Sequence, residues 1–121
     1  MVAQVLVIED NAELGEEIRD ALARRGFDCQ SCGSILQAER AVQSRRPDFI
    51  VSDVFLPDGN GVAFLHQHRS ALPHTKWLLM SGNRHLDKES LGAAGFTIFD
   101  KPVAWQTLIG FIRDGRKDWS N

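Results

Sequence analysis

The chain has 121 residues, 43% of them hydrophobic and 25% charged, a balance that excludes a disordered, fibrous or membrane-embedded protein and fits one domain over residues 1–121. Its acidic residues number 16 against 14 basic ones, so a formal charge of -2 argues against direct nucleic-acid binding. The apolar run at 2–8 stops at Glu9 and lacks a basic flank, which is wrong for a secretory signal or a membrane span, so we expect a cytoplasmic location.

Short apolar bursts alternate with helical patterns along the whole chain. The bursts, each bounded by polar or turn residues as in buried parallel strands, lie at 5–8, 27–32, 49–51, 77–80 and 96–99. The helical patterns lie at 14–22, 34–46, 62–65, 87–94 and 103–112. Gly26 suits the end of the first helix, and Ser34 with Gln37 has the spacing of a capping box at the start of the second. Five strands alternating with five helices predict a three-layer α/β sandwich, because parallel strands need helical crossovers.

Polar groups follow four of the five predicted strands. In folds of this class, ligands bind outside the carboxyl ends of the strands, so these side chains are expected to meet at one edge of the sheet. They are Glu9 and Asp10 after the first strand, Asp53 after the third, Ser81 after the fourth and Lys101 after the fifth. The sequence therefore predicts a site of three carboxylates, one hydroxyl and one ammonium.

Crowded carboxylates need a cation to offset their repulsion, and Mg²⁺ prefers oxygen ligands of this kind, with Mn²⁺ as an alternative. We expect Asp10 and Asp53 to be direct ligands, and Glu9 to act directly or through water. Such a set suits phosphoryl transfer, which asks mainly for positioning and charge neutralisation. Asp53 would be the nucleophile, Lys101 would supply a cation, and Ser81 would donate a hydrogen bond.

Four motifs carry a resemblance to a known family: VLVIED at 5–10, VSDVFLPDGNG at 51–61, LLMSGN at 78–83 and FDKP at 99–102. In order and spacing they resemble the receiver domains of bacterial two-component response regulators. The resemblance implies a flavodoxin-like sheet in the order 2-1-3-4-5, with Asp53 as the phosphoacceptor. It also implies the backbone carbonyl of Phe55 as a metal ligand and a cis bond between Lys101 and Pro102.

The same resemblance implies partners. A histidine kinase or a phosphotransfer protein would donate the phosphoryl group, and an output domain or protein would bind the face formed by the fourth helix, fifth strand and fifth helix. A homodimer is a further partner that the family allows. The domain would catalyse its own phosphorylation and dephosphorylation without turning over a separate substrate.

Three positions depart from, or modulate, the family pattern. Ile98 stands where the family usually has an aromatic residue that swings inward on phosphorylation, so we expect an atypical readout. Phe55 and Asn83 stand two residues after the acceptor and after the hydroxyl, where side chains influence how readily water attacks the acyl phosphate. A bulky Phe55 would slow that attack.

Other interpretations remain open at this point. Cys29 and Cys32 have a C-x-x-C spacing that would suit a redox dithiol or half a zinc site, although two reduced thiols are the simpler interpretation. A haloacid-dehalogenase-type phosphatase would also use a strand-end aspartate, but it carries a second acid where this chain has Phe55. A pseudo-receiver would keep the fold without phosphorylation.

Overall fold

The computed structural model describes residues 2–82, 97–101 and 104–117. The strands are β1 (Gln4–Ile8), β2 (Asp28–Cys32), β3 (Phe49–Asp53), β4 (Phe55–Leu56), β5 (Gly59–Asn60), β6 (Lys76–Ser81) and β7 (Thr97–Asp100). The helices in these ranges are α1 (Ala12–Ala23), α2 (Ile35–Ser44), α3 (Gly61–His68) and α4 (Trp105–Lys117). The helix expected at 87–94, Asn83, Phe96 and the bond to Pro102 lie outside the described residues.

The five long strands form one parallel sheet in the order β2-β1-β3-β6-β7. This is the predicted order 2-1-3-4-5, since β4 and β5 form a separate small hairpin between the third and fourth long strands. The flavodoxin-like α/β fold is confirmed. The hairpin was not predicted, because its residues were interpreted only as a turn-rich segment.

Helices cover both faces of this sheet. On one face, α1 and α4 bury Ile18, Leu22, Leu108 and Ile112 against the strands. On the other face, α2 and α3 bury side chains that include Ala38 and Phe64. The central strands β1, β3 and β6 are therefore buried between two layers of helices, as the three-layer prediction required, while the edge strands are more exposed.

The helix ends follow local sequence signals. The side chain of Asn11 accepts a hydrogen bond from the Leu14 N–H at the start of α1, and Gly26 adopts a φ of 88° after its end. A positive φ of this size costs glycine little, which explains why the helix stops there. The last helix runs on to Lys117. Its end was predicted at 112 because residues 113–117 contain no apolar residue that would extend the pattern.

None of the helices within the described ranges combines the length and the apolar character that crossing a membrane requires.

The two cysteines face opposite sides of the sheet. Cys29 packs against the cluster under α1 and α4, and Cys32 against the cluster under α2 and α3. Three residues along a strand span about 10 Å, which exceeds the roughly 7 Å limit between the Cα atoms of a disulfide. Burial raises the pKa of the Cys29 thiol to about 12 and that of Cys32 to about 11. Both features favour reduced, unreactive thiols over a redox pair.

We therefore predict that Cys29 and Cys32 react with a thiol reagent near pH 8 roughly a hundredfold more slowly in the folded protein than in urea, because the thiolate is the reacting form. Timed labelling followed by intact-mass measurement checks this, with the unfolded chain as the control. Rapid labelling of the folded protein, or loss of two hydrogens on mild oxidation, would contradict the prediction.

Candidate functional site

The predicted polar residues do converge at one edge of the sheet. Asp53 is the last residue of β3, and Ser81 is the last residue of β6 beside it. Glu9 follows β1 directly, and Lys101 follows β7 directly. Because all these strands are parallel, the four positions lie at the carboxyl edge that sequence analysis indicated.

Three carboxylates form a cluster at this edge. One ligand oxygen from each of Glu9, Asp10 and Asp53 lies within 4.8 Å of the others, and no other group of three or more potential ligands was found in the described parts of the chain. Glu9 is 1% exposed and Asp53 is 3% exposed, whereas Asp10 is open to solvent. The cluster thus consists of two buried carboxylates and one that solvent can reach.

A single ammonium bridges the two buried acids. The Nζ atom of Lys101 lies 2.6 Å from Glu9 Oε2 and 2.6 Å from Asp53 Oδ1. The backbone N–H of Lys101 also donates to the carbonyl of Ser81 over 2.9 Å, which fixes the root of the lysine side chain. Three carboxylates and one ammonium leave the cluster negative, so it attracts a further positive charge.

The remaining oxygen atoms of the buried acids differ from each other. Glu9 Oε1 accepts a hydrogen bond from the Asn11 N–H at 3.1 Å. For Asp53 Oδ2, no N–H or O–H within the described ranges acts as a donor. A buried carboxylate oxygen without a donor is costly unless an ion or a substrate satisfies it, so Oδ2 is the atom of the site that is open for chemistry.

The surroundings alter the acidity of both partners. The pKa of Asp53 is raised from 3.8 to about 7, first because burial disfavours its charge and then because the Glu9 carboxyl group lies against it, while Lys101 acts in the opposite direction. Burial alone would lower the pKa of Lys101, but its contacts with Asp53 and Glu9 outweigh this and raise it. Lys101 is therefore a permanent cation at neutral pH.

Two small residues support the end of β3 at Asp53, and sequence analysis missed them as site residues. The buried Ser52 hydroxyl donates to the carbonyl of Asp53 over 2.9 Å. Gly61 begins α3 so close to this carbonyl that a Cβ atom there would lie 2.1 Å from it. The Gly61 N–H also donates to the carbonyl of Val54 at 2.7 Å. A glycine directly before the predicted helix was the available signal.

The loop after Asp53 is a structured hairpin. Phe55 pairs with Asn60 in antiparallel register, and its side chain is 51% exposed. The Asn60 side chain caps α3 by accepting from the Val62 N–H at 2.7 Å. At the hairpin turn, the carboxylate of Asp58 accepts from the N–H groups at the start of α2, and these bonds hold its pKa below its usual value.

The other predicted residues have varied places. Ile98 on β7 pairs with Leu79 and packs, partly buried, against a small cluster that includes Val54. Ser81 is buried at the end of its strand. The carbonyl of Phe55 as a metal ligand and the influence of Asn83 stay predictions, the latter because Asn83 is outside the described residues.

Comparisons with known proteins agree on one family. The sequence matches the response regulator receiver domain family over residues 5–113. It is 32% identical over 111 residues to the probable transcriptional regulatory protein TcrX of Mycobacterium tuberculosis, covering 90% of this chain and 47% of TcrX. It is 39% identical over 62 residues to the DNA-binding response regulator MtrA of Mycobacterium leprae, covering 51% of this chain and 28% of MtrA. The chain thus spans less than half the length of each of these two relatives.

Solved structures agree with the fold. A response regulator receiver domain (CheY-like) from Methylobacillus flagellatus superposes with a TM-score of 0.81 at 28% identity, covering 95% of this chain and 99% of that one. A receiver domain protein from Clostridium thermocellum superposes with a TM-score of 0.86 at 24% identity, covering 99% of this chain and 100% of that one, and this likeness concerns the fold alone.

The raised pKa of Asp53 predicts a pH-dependent effect of Asp53→Asn in metal-free protein. Because the folded state resists ionisation between the ordinary pKa of 3.8 and the raised value of about 7, the wild type loses stability as pH rises through this window, whereas asparagine does not titrate. The free energy of unfolding of the variant, relative to that of the wild type, should therefore rise by up to about 3 kcal/mol between about pH 5 and about pH 8. Urea unfolding in EDTA at the two pH values measures this, and a pH-independent difference would contradict it.

Proposed function

Since the chain belongs to the response regulator receiver domain family, we propose that it is a phosphoacceptor in two-component signalling and that Asp53 takes the phosphoryl group. One observation carries the proposal. Asp53 ends the central strand with one carboxylate oxygen held 2.6 Å from the Lys101 ammonium, while no N–H or O–H of the described chain donates to the other. The proposal covers residues 1–121 as a single receiver domain.

The residues of the cluster fit a hard divalent cation. All three side chains offer carboxylate oxygens, and the accessible position of Asp10 leaves room for the water molecules that Mg²⁺ retains. Asp10 and Asp53 would hold Mg²⁺ directly, with Glu9 acting directly or through water and the Phe55 carbonyl as a further ligand; Mn²⁺ would fit the same donors. When bound, the cation would neutralise charge on carboxylate and phosphoryl oxygens.

The chain's own groups would divide the work of transfer. A bond forms between a carboxylate oxygen of Asp53 and phosphorus as the bond from phosphorus to the donor breaks. The departing nitrogen of a phosphohistidine keeps the electron pair of that bond and takes a proton. The Lys101 ammonium would compensate negative charge on the phosphoryl oxygens, and the hydroxyl of Ser81 would donate a hydrogen bond to one of them.

The donor, output and location follow from this role. A histidine kinase or phosphotransfer protein would bring the phosphoryl group to the carboxyl edge of the sheet. The output domain or protein, or a second copy of the chain, would bind the face that contains β7 and α4. Because Ile98 replaces the usual aromatic residue there, the change on phosphorylation would be atypical. We place the protein in the cytoplasm, without direct nucleic-acid binding by this domain and without turnover of a separate substrate.

Phosphorylation is directly testable with a small-molecule donor. On incubation with acetyl phosphate and Mg²⁺, the intact mass of the wild type should rise by one phosphoryl group, because Asp53 is the single acceptor. Asp53→Ala, and wild type in EDTA, should show no adduct. Absence of an adduct in the wild type with Mg²⁺ would point to a pseudo-receiver, and turnover of an added phosphoester would point to a phosphatase.

The exposed ring of Phe55 predicts a slow loss of the phosphoryl group. An apolar ring two residues after the acceptor would hinder the approach of water to the acyl phosphate, whereas an amide at this position would hold water there. Phe55→Asn should therefore lose its phosphoryl group roughly tenfold faster than the wild type, below the ~100-fold effect of full acid–base catalysis. The decay of the adduct after removal of acetyl phosphate is the measurement, and Phe55→Leu, which stays apolar, is the control. Equal decay rates for Phe55→Asn and wild type would remove the idea.

A further inference from the structure

We infer that Asp58 is a positioning residue for phosphorylation of Asp53, because its carboxylate ties the hairpin after the acceptor strand to the start of α2. This inference rests on the proposed function. Among the described residues, Asp58 makes no hydrogen bond or ion pair with the acidic cluster or with Lys101. Its effect would be exerted through the backbone that leads from Asp53 to α3.

The first contact is a pair of hydrogen bonds between segments that are distant in the sequence. The first N–H groups of a helix have no partner within the helix. In α2, the N–H groups of Ile35 and Leu36 donate to the two carboxylate oxygens of Asp58, over 2.8 Å and 3.0 Å. A negative charge at a helix start is also favoured by the aligned peptide dipoles. One side chain thus satisfies two N–H groups more than 20 residues away in sequence.

The second contact is apolar and lies next to the first. The side chain of Ile35 packs so closely on Gly59 that a Cβ atom there would lie 3.1 Å from Ile35 Cγ1. Leu56 lies on the other strand of the hairpin. Both Ile35 and Leu56 pack against the apolar cluster under α2 and α3. The hairpin is therefore seated on the helix start by independent polar and apolar contacts.

The hairpin connects these contacts with α2 to Asp53 on both sides. The strands β4 and β5 flank the turn at Pro57 and Asp58, and β4 begins two residues after Asp53. After β5, the Gly61 N–H donates to the carbonyl of Val54, which directly follows the acceptor. A shift of the turn would move Phe55 on one side and the first turn of α3 on the other. Phe55 is two residues from Asp53 along the chain, and Gly61 at the start of α3 lies against the backbone carbonyl of Asp53.

The chain offers a matched control for helix stability. Ser34 caps the same helix by accepting from the Gln37 N–H at 3.2 Å, but this contact stays within residues 34–37. Ser34→Ala therefore weakens the start of α2 without releasing the hairpin, whereas Asp58→Ala does both. Asp58→Asn keeps one acceptor oxygen and is the conservative variant.

The experiment compares these three variants with the wild type in the full chain. Phosphorylation by acetyl phosphate and Mg²⁺ is followed by intact mass, thermal unfolding records stability, and hydrogen exchange of residues 54–61 is measured without a phosphodonor. We expect Asp58→Ala to be phosphorylated about tenfold more slowly, as small misplacements of reacting groups can cause, with Asp58→Asn between it and the wild type. Ser34→Ala should stay within about twofold of the wild type despite a lower Tm. Exchange at Gly61 should accelerate in Asp58→Ala, less so in Asp58→Asn, and not in Ser34→Ala.

The outcomes separate this inference from the proposed function. Equal rates and equal exchange in Asp58→Ala and Ser34→Ala would overturn the positioning role while leaving phosphorylation of Asp53 intact. If the wild type is not phosphorylated, the proposed function is wrong, and so is the part of the inference that concerns the phosphorylation rate. In that case, unchanged exchange in Asp58→Ala would also overturn the tie between hairpin and helix.

Discussion

The shared ammonium of Lys101 is the interaction on which the site depends. Two buried carboxylates, Glu9 and Asp53, lie together at a strand edge only because one cation contacts both at 2.6 Å. Without it, burial and the neighbouring carboxyl group would raise the pKa of Asp53 further and favour its neutral form. The lysine compensates only part of the acidic charge, so the cluster keeps an attraction for a divalent cation.

Much of the fold was predictable from the sequence because its signals are local and repeated. Apolar bursts bounded by polar residues marked the five long strands, and Ser34, Gly26 and Pro47 marked helix ends through hydrogen bonding and φ preferences. The β4–β5 hairpin was not predictable in this way. Its two-residue strands are too short for periodicity, and it is held by contacts with α2 and α3 that have no signature within the segment itself.

The convergence of the site residues followed from topology alone, since parallel strands bring their carboxyl ends to one edge. What the sequence could not show was which groups touch. The bridging position of Lys101, the support that Ser52 gives the acceptor carbonyl and the reach of Asp58 to a helix more than 20 residues earlier all depend on packing between distant segments. Hydrogen bonds of this kind depend on how close two segments lie in the folded protein, and the spacing of residues in the sequence does not reveal that distance.

The contact between Gly61 and the acceptor carbonyl has a mechanical consequence. With no space for even one carbon atom between them, this end of α3 cannot slide relative to β3, and any tilt of the helix must pivot there. At the opposite end of α3, His68 Nε2 lies 4.0 Å from a carboxylate oxygen of Glu39 on α2. The helix would thus pivot beside Asp53, and a small rearrangement there would cause the largest displacement at the far end of the helix.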